Sequence, residues 1–469
     1  MKKHAIRILS VLCAANLLLG TLYGCGSRET AAGGEIAGTQ TAEPAGGAKE
    51  FENKELDVAV FQGAYGREFW DALAERFQED YPGAKIHITA NPRIGEMIRP
   101  KMVAGNIPDF IYFDAGEQSG VVTSLIKDRE LTDLTGLFNE RALDRERLIR
   151  DAILPGILDS NICAPYNDGK IYLAPYNYGV MGLWYNKDLF EREKIAPPKT
   201  WDEFFALKDT AAREGRALFT YQGIYPSYNE EIMIPALYSA GGGEAVDQYF
   251  NYSEGLWKSE PAKKVLGIFG KIAEGDLLMR GTVALNHTQA QTEFMKGKAM
   301  YIPNGNWFEG EMKGAPREEG FRFGFLGIPA FRAGDPVTCM VNVETLMIPA
   351  KAKNPELAKE FLKYIYTEKS VRLNGEKAKA VMAVEGAVEL VRDSITPSSY
   401  ECFKAVENGM VPVMGAFGRL AKSSTVNAAN EIYKPLTAVM NRQLTTDQWA
   451  EELDRLYLRV RTELAAEGG

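Results

Sequence analysis

The stretch LDVAVFQGAYGREFWDALAERFQEDYPGAKIHITA, residues 56–90, decides the fold. Its opening, 56–61, is a short apolar run of β-forming composition. Phe69, Leu73 and Phe77 then recur at i, i+4 and i+8, which predicts a one-faced helix over 67–80. Tyr81-Pro82-Gly83 stops it. Residues 85–90 alternate, with Ile86 and Ile88 on one face. Strand, helix and strand in so short a span form a βαβ unit and predict a parallel sheet.

The same grammar continues downstream. Residues 109–113, DFIYF, read as another buried strand. Thr200 and Glu203 have capping-box spacing. Asn354 followed by Pro355 reads as an N-cap and its first helical residue. A helical stretch over 288–296 ends at Gly297 and precedes a strand over 299–302. His287 reads as a residue of that helix start. The fold class is α/β with two lobes. In open α/β sheets, ligands bind beyond the carboxyl ends of the strands. The expected strand-exit loops are 61–66, 114–118, 176–179, 221–228 and 303–307.

Upstream lies an address. MKKHAIR is basic, and an apolar run over 8–22 follows, ending in Leu22-Tyr23-Gly24-Cys25. This is the layout of a secretory signal over 1–24. The cleavage site is similar to a bacterial lipobox, which implies a lipid on Cys25, although Tyr23 departs from the usual small residue. Residues 25–54 have almost no large apolar side chain and read as a flexible tether. The expected location is the outer face of the cell membrane, or the periplasm where an outer membrane exists.

Composition excludes other classes. The chain has 469 residues, which suggests two or three domains, and a net charge of −9. Removing 1–24 takes away Lys2, Lys3 and Arg7 and no acid, leaving −12. Such a surface argues against nucleic acid, which needs a basic footprint. The three histidines never cluster, so no metal or other cofactor is expected. Cys163, Cys339 and Cys402 show no CxxC spacing, and one pair among them stays open.

The strand-exit loops share one chemistry. Gln62 and Tyr65 share a loop with two glycines, Gly63 and Gly66, without the spacing of a nucleotide loop. Tyr176 and Asn177, Gln222 and Tyr225, and Asn306 and Trp307 repeat the pairing of amide with aromatic ring. Asp114, Glu309 and Glu344 are acidic candidates. A pyranose has an apolar C–H face that packs on an aromatic plane, and hydroxyls that need amide and carboxylate partners. The composition therefore fits a small carbohydrate. A glycoside hydrolase would need two carboxylates about 5–9 Å apart, for which Asp114 and Glu344 are the candidates, but no motif marks a tuned acid and base. Binding of a non-sugar solute, or a sensing role, are further alternatives.

The sequence resembles the extracellular solute-binding proteins of carbohydrate ABC importers, the group that includes maltose-binding protein. The resemblance rests on AGNIPDFIYFD (104–114), DGKIYLAPYNYGVMGLWYNKDLFEREKIAPPKTWDEF (168–204), FMKGKAMYIPNGNW (294–307) and NPELAKEFLKYI (354–365). A narrower likeness, to the branch that binds N-acetylglucosamine and diacetylchitobiose, rests on VFQGAYG (60–66), NPRIGEMIRPKMVAGNIPD (91–109), YQGIYPSY (221–228) and NHTQAQTEFMKGKAMYIPNGNWFEGEM (286–312). The resemblance implies a two-lobe periplasmic-binding-protein-like fold of type II, closing by a hinge on a sugar. It implies crossings near 178–182, 325–329 and 380–385, with 55–178 and 330–382 in one lobe and 183–325 and 386–469 in the other. It further implies a non-enzymatic monomer that serves ABC permease subunits. Trp307 would be the stacking platform. Gln62, Tyr65 and Asp114 would contact sugar from the first lobe, Tyr176 and Asn177 would lie beside the hinge, and Gln222, Tyr225, Asn306 and Glu344 would complete the site.

Overall fold

The computed structural model describes residues 51–63, 65–114 and 119–468. The signal over 1–24, Cys25, the tether up to residue 50 and Gln118 lie outside the described residues. Among the described residues nine strands form the sheet: β1 (Glu55–Phe61), β2 (Lys85–Asn91), β3 (Phe110–Phe113), β4 (Ala174–Asn186), β5 (Ala217–Phe219), β6 (Ala299–Gly305), β7 (Phe323–Gly327), β8 (Thr338–Met347) and β9 (Val411–Val413). The main path runs β2-β1-β3-β8-β4-β6-β5, with β7 against β4 and β9 against β8.

The βαβ unit forms as its pattern predicts. β1 pairs in parallel with both β2 and β3. The helix Glu68–Asp80 between β1 and β2 buries Phe69, Trp70, Leu73 and Phe77, and Tyr81 ends it. The sheet is not parallel throughout. β8 runs antiparallel to β3 and to β4, and β6 and β7 run antiparallel to β4. A crossover helix enforces parallel pairing only where it joins two neighbouring strands, and β4 and β8 are neighbours far apart in sequence.

β4 also corrects the loop expected at 176–179. That stretch lies in the first half of a thirteen-residue strand buried along its whole length. Asn177 and Gly179 mimic a turn in sequence, but a bulge between Pro175 and Tyr178 absorbs the irregularity and pairing with β8 continues to Met181. Beside this bulge runs 380–384: Tyr178 donates its N–H to Val381 O, and Ala383 to Tyr176 O.

The core divides into two large clusters. One packs β1, β3 and the β4 residues Ala174, Tyr176, Tyr178, Val180 and Trp184 against the helices Pro355–Ile365 and Glu368–Ala378, and takes in Phe294, Phe308 and Phe323 as well. The other surrounds the helices Glu230–Phe250, Glu260–Glu274 and Thr446–Gly468. Ala387, Val391, Cys402 and Phe403, from a segment that the resemblance places in the second lobe, pack in the first cluster. Cys163, Cys339 and Cys402 are buried free thiols. Among the described residues, no helix is long and apolar enough to cross a membrane.

Both predicted caps form. Thr200 and Glu203 close a capping box. Asn354 accepts from Leu357 N, and its amide donates to Asn53 O at 2.8 Å and Glu55 O at 2.9 Å. The Asp109 carboxylate receives Asp57 N and Asn354 N, so a cap and a strand share one acid. Asn354→Ala removes the cap and strands two carbonyls, that of Asn53 just before β1 and that of Glu55 at its start. It is expected to cost about 2–3 kcal/mol in urea unfolding. A loss near zero would show that water replaces the amide.

Candidate functional site

The candidate site forms where β4, β6 and β8 lie side by side. Gly179 of β4 faces Asn342 of β8 in the ladder, and Met181 of β4 faces Gly305 of β6. Two glycines on neighbouring strands leave the backbone bare, and the Trp307 indole lies against it. A Cβ on Gly305 would stand 2.2 Å from that ring, and one on Gly179 would stand 3.2 Å from it and 2.4 Å from Asn342 Oδ1. The half-buried indole belongs to neither core cluster.

Asn306 holds this ring in place. Its N–H donates to Val180 O, its Oδ1 accepts from Val180 N, both at 3.0 Å, and its Nδ2 reaches Ser399 Oγ at 3.4 Å. The amide is buried and committed to backbone, so Asn306 positions Trp307.

The first cluster supplies the acidic end. Asn342 and Glu344 are two apart on β8 and so share a face. Glu344 is buried, and its Oε2 accepts from Tyr112 Oη at 2.9 Å and Asn177 Nδ2 at 3.2 Å. Asn177 Oδ1 accepts from Asn374 Nδ2 at 2.8 Å, and Asn374 Oδ1 accepts from Tyr176 Oη at 2.8 Å. Burial pushes the Glu344 carboxyl up to about 8. The Tyr112 and Asn177 hydrogen bonds oppose that rise and the Asp114 charge adds to it. Burial raises the Tyr65 phenol as well, with help from the charges of Glu344 and Asp114. Tyr65, Asp114 and Glu344 thus gather at the carboxyl ends of β1 and β3. A protonated carboxyl there both donates and accepts, as a hydroxyl ligand requires.

The other expected residues are placed differently. Tyr176 is a core side chain, stacked on Phe69 and packed against Trp70 and the edge of Tyr112. Asn177 is fully buried within the network that orients Glu344. Gln222 is also fully buried and donates to Pro303 O at 2.8 Å, which ties its loop to β6. Gln62 is half-buried at the end of β1, with its N–H on Asn91 O. Tyr225 is 46% exposed and its ring lies 5.8 Å from that of His287. Glu309 accepts from Ser398 N at a helix start, and His287 opens its helix as expected, behind an Asn286–Gln289 capping box. Sequence reading missed Tyr112, Asn342 and Asn374. Tyr112 carried a signal as the one polar-tipped residue of a buried strand, whereas Asn342 is visible only through strand register.

Two α/β cores spanned by shared strands, with an aromatic and acidic face where those strands cross, define a two-lobe binding protein. Residues 63–372 match the family of bacterial extracellular solute-binding proteins, and the chain belongs to that family. It is a binding protein and not an enzyme, which sets aside the hydrolase reading of Asp114 and Glu344. Among its relatives is the diacetylchitobiose binding protein NgcE of Streptomyces coelicolor, 27% identical over 343 residues, covering 72% of this chain and 71% of that protein. The multiple sugar-binding protein of Streptococcus mutans is 21% identical, covering 69% of this chain and 74% of its own length. The fold is also that of the apo-form of RafE from Streptococcus pneumoniae, with TM-score 0.68, 18% identity, and 88% and 100% of the two chains covered.

Proposed function

We propose that this protein is the extracellular carbohydrate-binding component of an ABC importer, taking N-acetylglucosamine or chito-oligosaccharides. The observation that carries the reading is the Trp307 ring laid on the glycine cradle of Gly179 and Gly305, beside Asn342, with Glu344 two residues farther along β8. One aromatic platform with amide and carboxyl groups along its edge suits a pyranose: the ring covers the C–H face and the polar groups meet the hydroxyls. The likeness to a diacetylchitobiose binding protein supports the N-acetylated branch. In this reading residues 1–24 are removed and Cys25 carries the lipid anchor. The protein is a monomer at the membrane surface, and its lobes close on the sugar and present it to the permease subunits. Sugar shifts the lobes only in so far as it binds the closed form better.

The test is titration calorimetry of residues 26–469 against N-acetylglucosamine, diacetylchitobiose, cellobiose, maltose and xylobiose, with small-angle scattering of the same samples. Micromolar or tighter heat with an N-acetylated sugar, and a more compact profile when it is bound, is the expected result. Heat only with another sugar would keep the importer and discard the branch. Silence from folded protein across the panel would overturn the carbohydrate reading.

A further inference from the structure

After β9 the chain runs through residues 414–427 without helix or strand of its own. A segment with no ladder must find its backbone partners elsewhere. This one finds them alternately on two sides. Met414 and Ala416 pack against the first core, and Phe417 and Leu420 against the second. The Phe417 ring stacks on Tyr252, with 5.6 Å between centroids and 16° between planes. Gly418 donates its N–H to Phe250 O at 2.8 Å, and Lys422 donates its own to Glu467 Oε1 at 3.1 Å. The fit on this side is close, since a Cβ on Gly415 would stand 2.3 Å from the Phe250 ring.

Two side chains grip the same strap from the other side. Asn161, next to Ile162 and Cys163 of the first core, holds both backbone groups of Ala416. Its Oδ1 accepts from Ala416 N at 3.1 Å and its Nδ2 donates to Ala416 O. One amide thus does for Ala416 what a neighbouring strand would do. Lys127 ends the helix Val121–Lys127, which packs with Ala59 of β1 and Ile111 of β3 in a smaller cluster. Its Nζ donates to the carbonyl of buried Ala421 at 3.1 Å. Lys422 and Asp128 add an exposed pair at 3.9 Å, a contact worth little in water. The strap runs on into the helix Ala428–Tyr433, which packs on the turn Pro226–Asn229. Tyr228 of that turn lies in the field of Glu311, whose N–H donates to Trp307 O at 2.9 Å.

We propose that Asn161 and Lys127 are positioning residues that set the affinity for sugar without touching it: they latch the strap 414–422, and through it the second core, onto the first. This inference rests on the carbohydrate reading of the Trp307 site. A bend along β4 and β8 that draws the two cores apart at the strap must break the hydrogen bonds of Asn161 and Lys127, or else pull Phe417 and Gly418 off Tyr252 and Phe250. The side-chain grips are the weaker set, because the other face of the strap is held by ring packing as well as by hydrogen bonds. Apparent affinity scales with the fraction of the protein in the arrangement competent to bind. Three hydrogen bonds remote from the ligand therefore enter the binding constant.

The experiment compares wild type with Asn161→Ala, Lys127→Met and Lys127→Arg. Calorimetry uses whichever of N-acetylglucosamine, diacetylchitobiose, cellobiose, maltose and xylobiose binds wild type most tightly, and small-angle scattering is recorded on the unliganded proteins. Asn161→Ala loses two hydrogen bonds and is expected to bind about 10- to 30-fold more weakly. Lys127→Met keeps the aliphatic stem, loses one bond and is expected to bind about 3- to 10-fold more weakly. Lys127→Arg still donates to Ala421 O and should stay within about twofold of wild type. The first two variants should also scatter as more extended particles than wild type. Wild-type affinity in both Asn161→Ala and Lys127→Met, whatever their stability in urea, would reduce the strap to a structural element and leave the Trp307 site standing. An equal loss in Lys127→Arg and Lys127→Met would overturn the hydrogen bond as the cause. Absence of heat from wild type with all five sugars would overturn the carbohydrate reading. Scattering then decides the latch alone: a more extended Asn161→Ala keeps it, and superimposable profiles overturn it.

Discussion

Trp307→Ala is expected to weaken sugar binding by about 2–4 kcal/mol, roughly 30- to 1000-fold in calorimetry. The ring is half-buried, lies on bare backbone and belongs to neither core cluster. Its removal therefore takes away a binding surface and leaves the packing of the protein alone. Gly305→Ala should reach the same end by another route. A Cβ 2.2 Å from the indole cannot coexist with the ring where it stands, so the ring must swing off the cradle. Because both changes act on one feature, their losses should not add in the double variant. Unchanged affinity in Trp307→Ala would remove this residue from the site.

Glu344→Gln is expected to flatten the pH dependence of stability and to leave the protein about 2–4 kcal/mol more stable than wild type near pH 8. The folded state holds the Glu344 proton up to about 8, against 4.5 as the ordinary value. A carboxyl raised by folding contributes stability that is fully present below about 4.5 and is lost as pH rises through about 8. Within that window the unfolded chain releases its proton first, so the free energy of unfolding falls with increasing pH. The full shift corresponds to about 5 kcal/mol, an upper bound. A glutamine oxygen at the same place still accepts from Tyr112 and Asn177, so the network survives without the titration. Urea unfolding of both proteins from about pH 5 to about pH 8 checks this. Parallel profiles would mean that Glu344 is ionised throughout.

Local patterns in the sequence carried much of this structure. The βαβ unit, the Thr200 and Asn354 caps and the helix that follows Asn286 all follow from periodicity and punctuation, which act over a few residues. The first half of β4 did not. Pro175, Asn177 and Gly179 look like a turn, and only their pairing with β8, some 160 residues away, makes them a strand. The site divided the same way. Aromatic and amide residues at strand ends were visible as a composition, and the structure lays Trp307 on its cradle and gathers Tyr65, Asp114 and Glu344. Composition does not say which amides are already spent. Asn306, Asn177 and Gln222 each satisfy partners within the chain, and nothing in their neighbours along the sequence distinguishes them from free ones. Asn342 was invisible because its place opposite Gly179 is a matter of register, which no local pattern encodes.

The thirteen-residue β4 has a thermodynamic consequence. Ala174, Tyr176, Val180 and Trp184 belong to one core and Leu183 and Tyr185 to the other, on a single strand. β8 accompanies it for much of that length. Neither core can come apart without releasing a strand that the other also needs. The two halves therefore share their cooperativity, and melting one withdraws support from the other. Independent motion of the halves is left to bending along this shared ribbon, where Gly179 and the bulge after Pro175 interrupt its regularity.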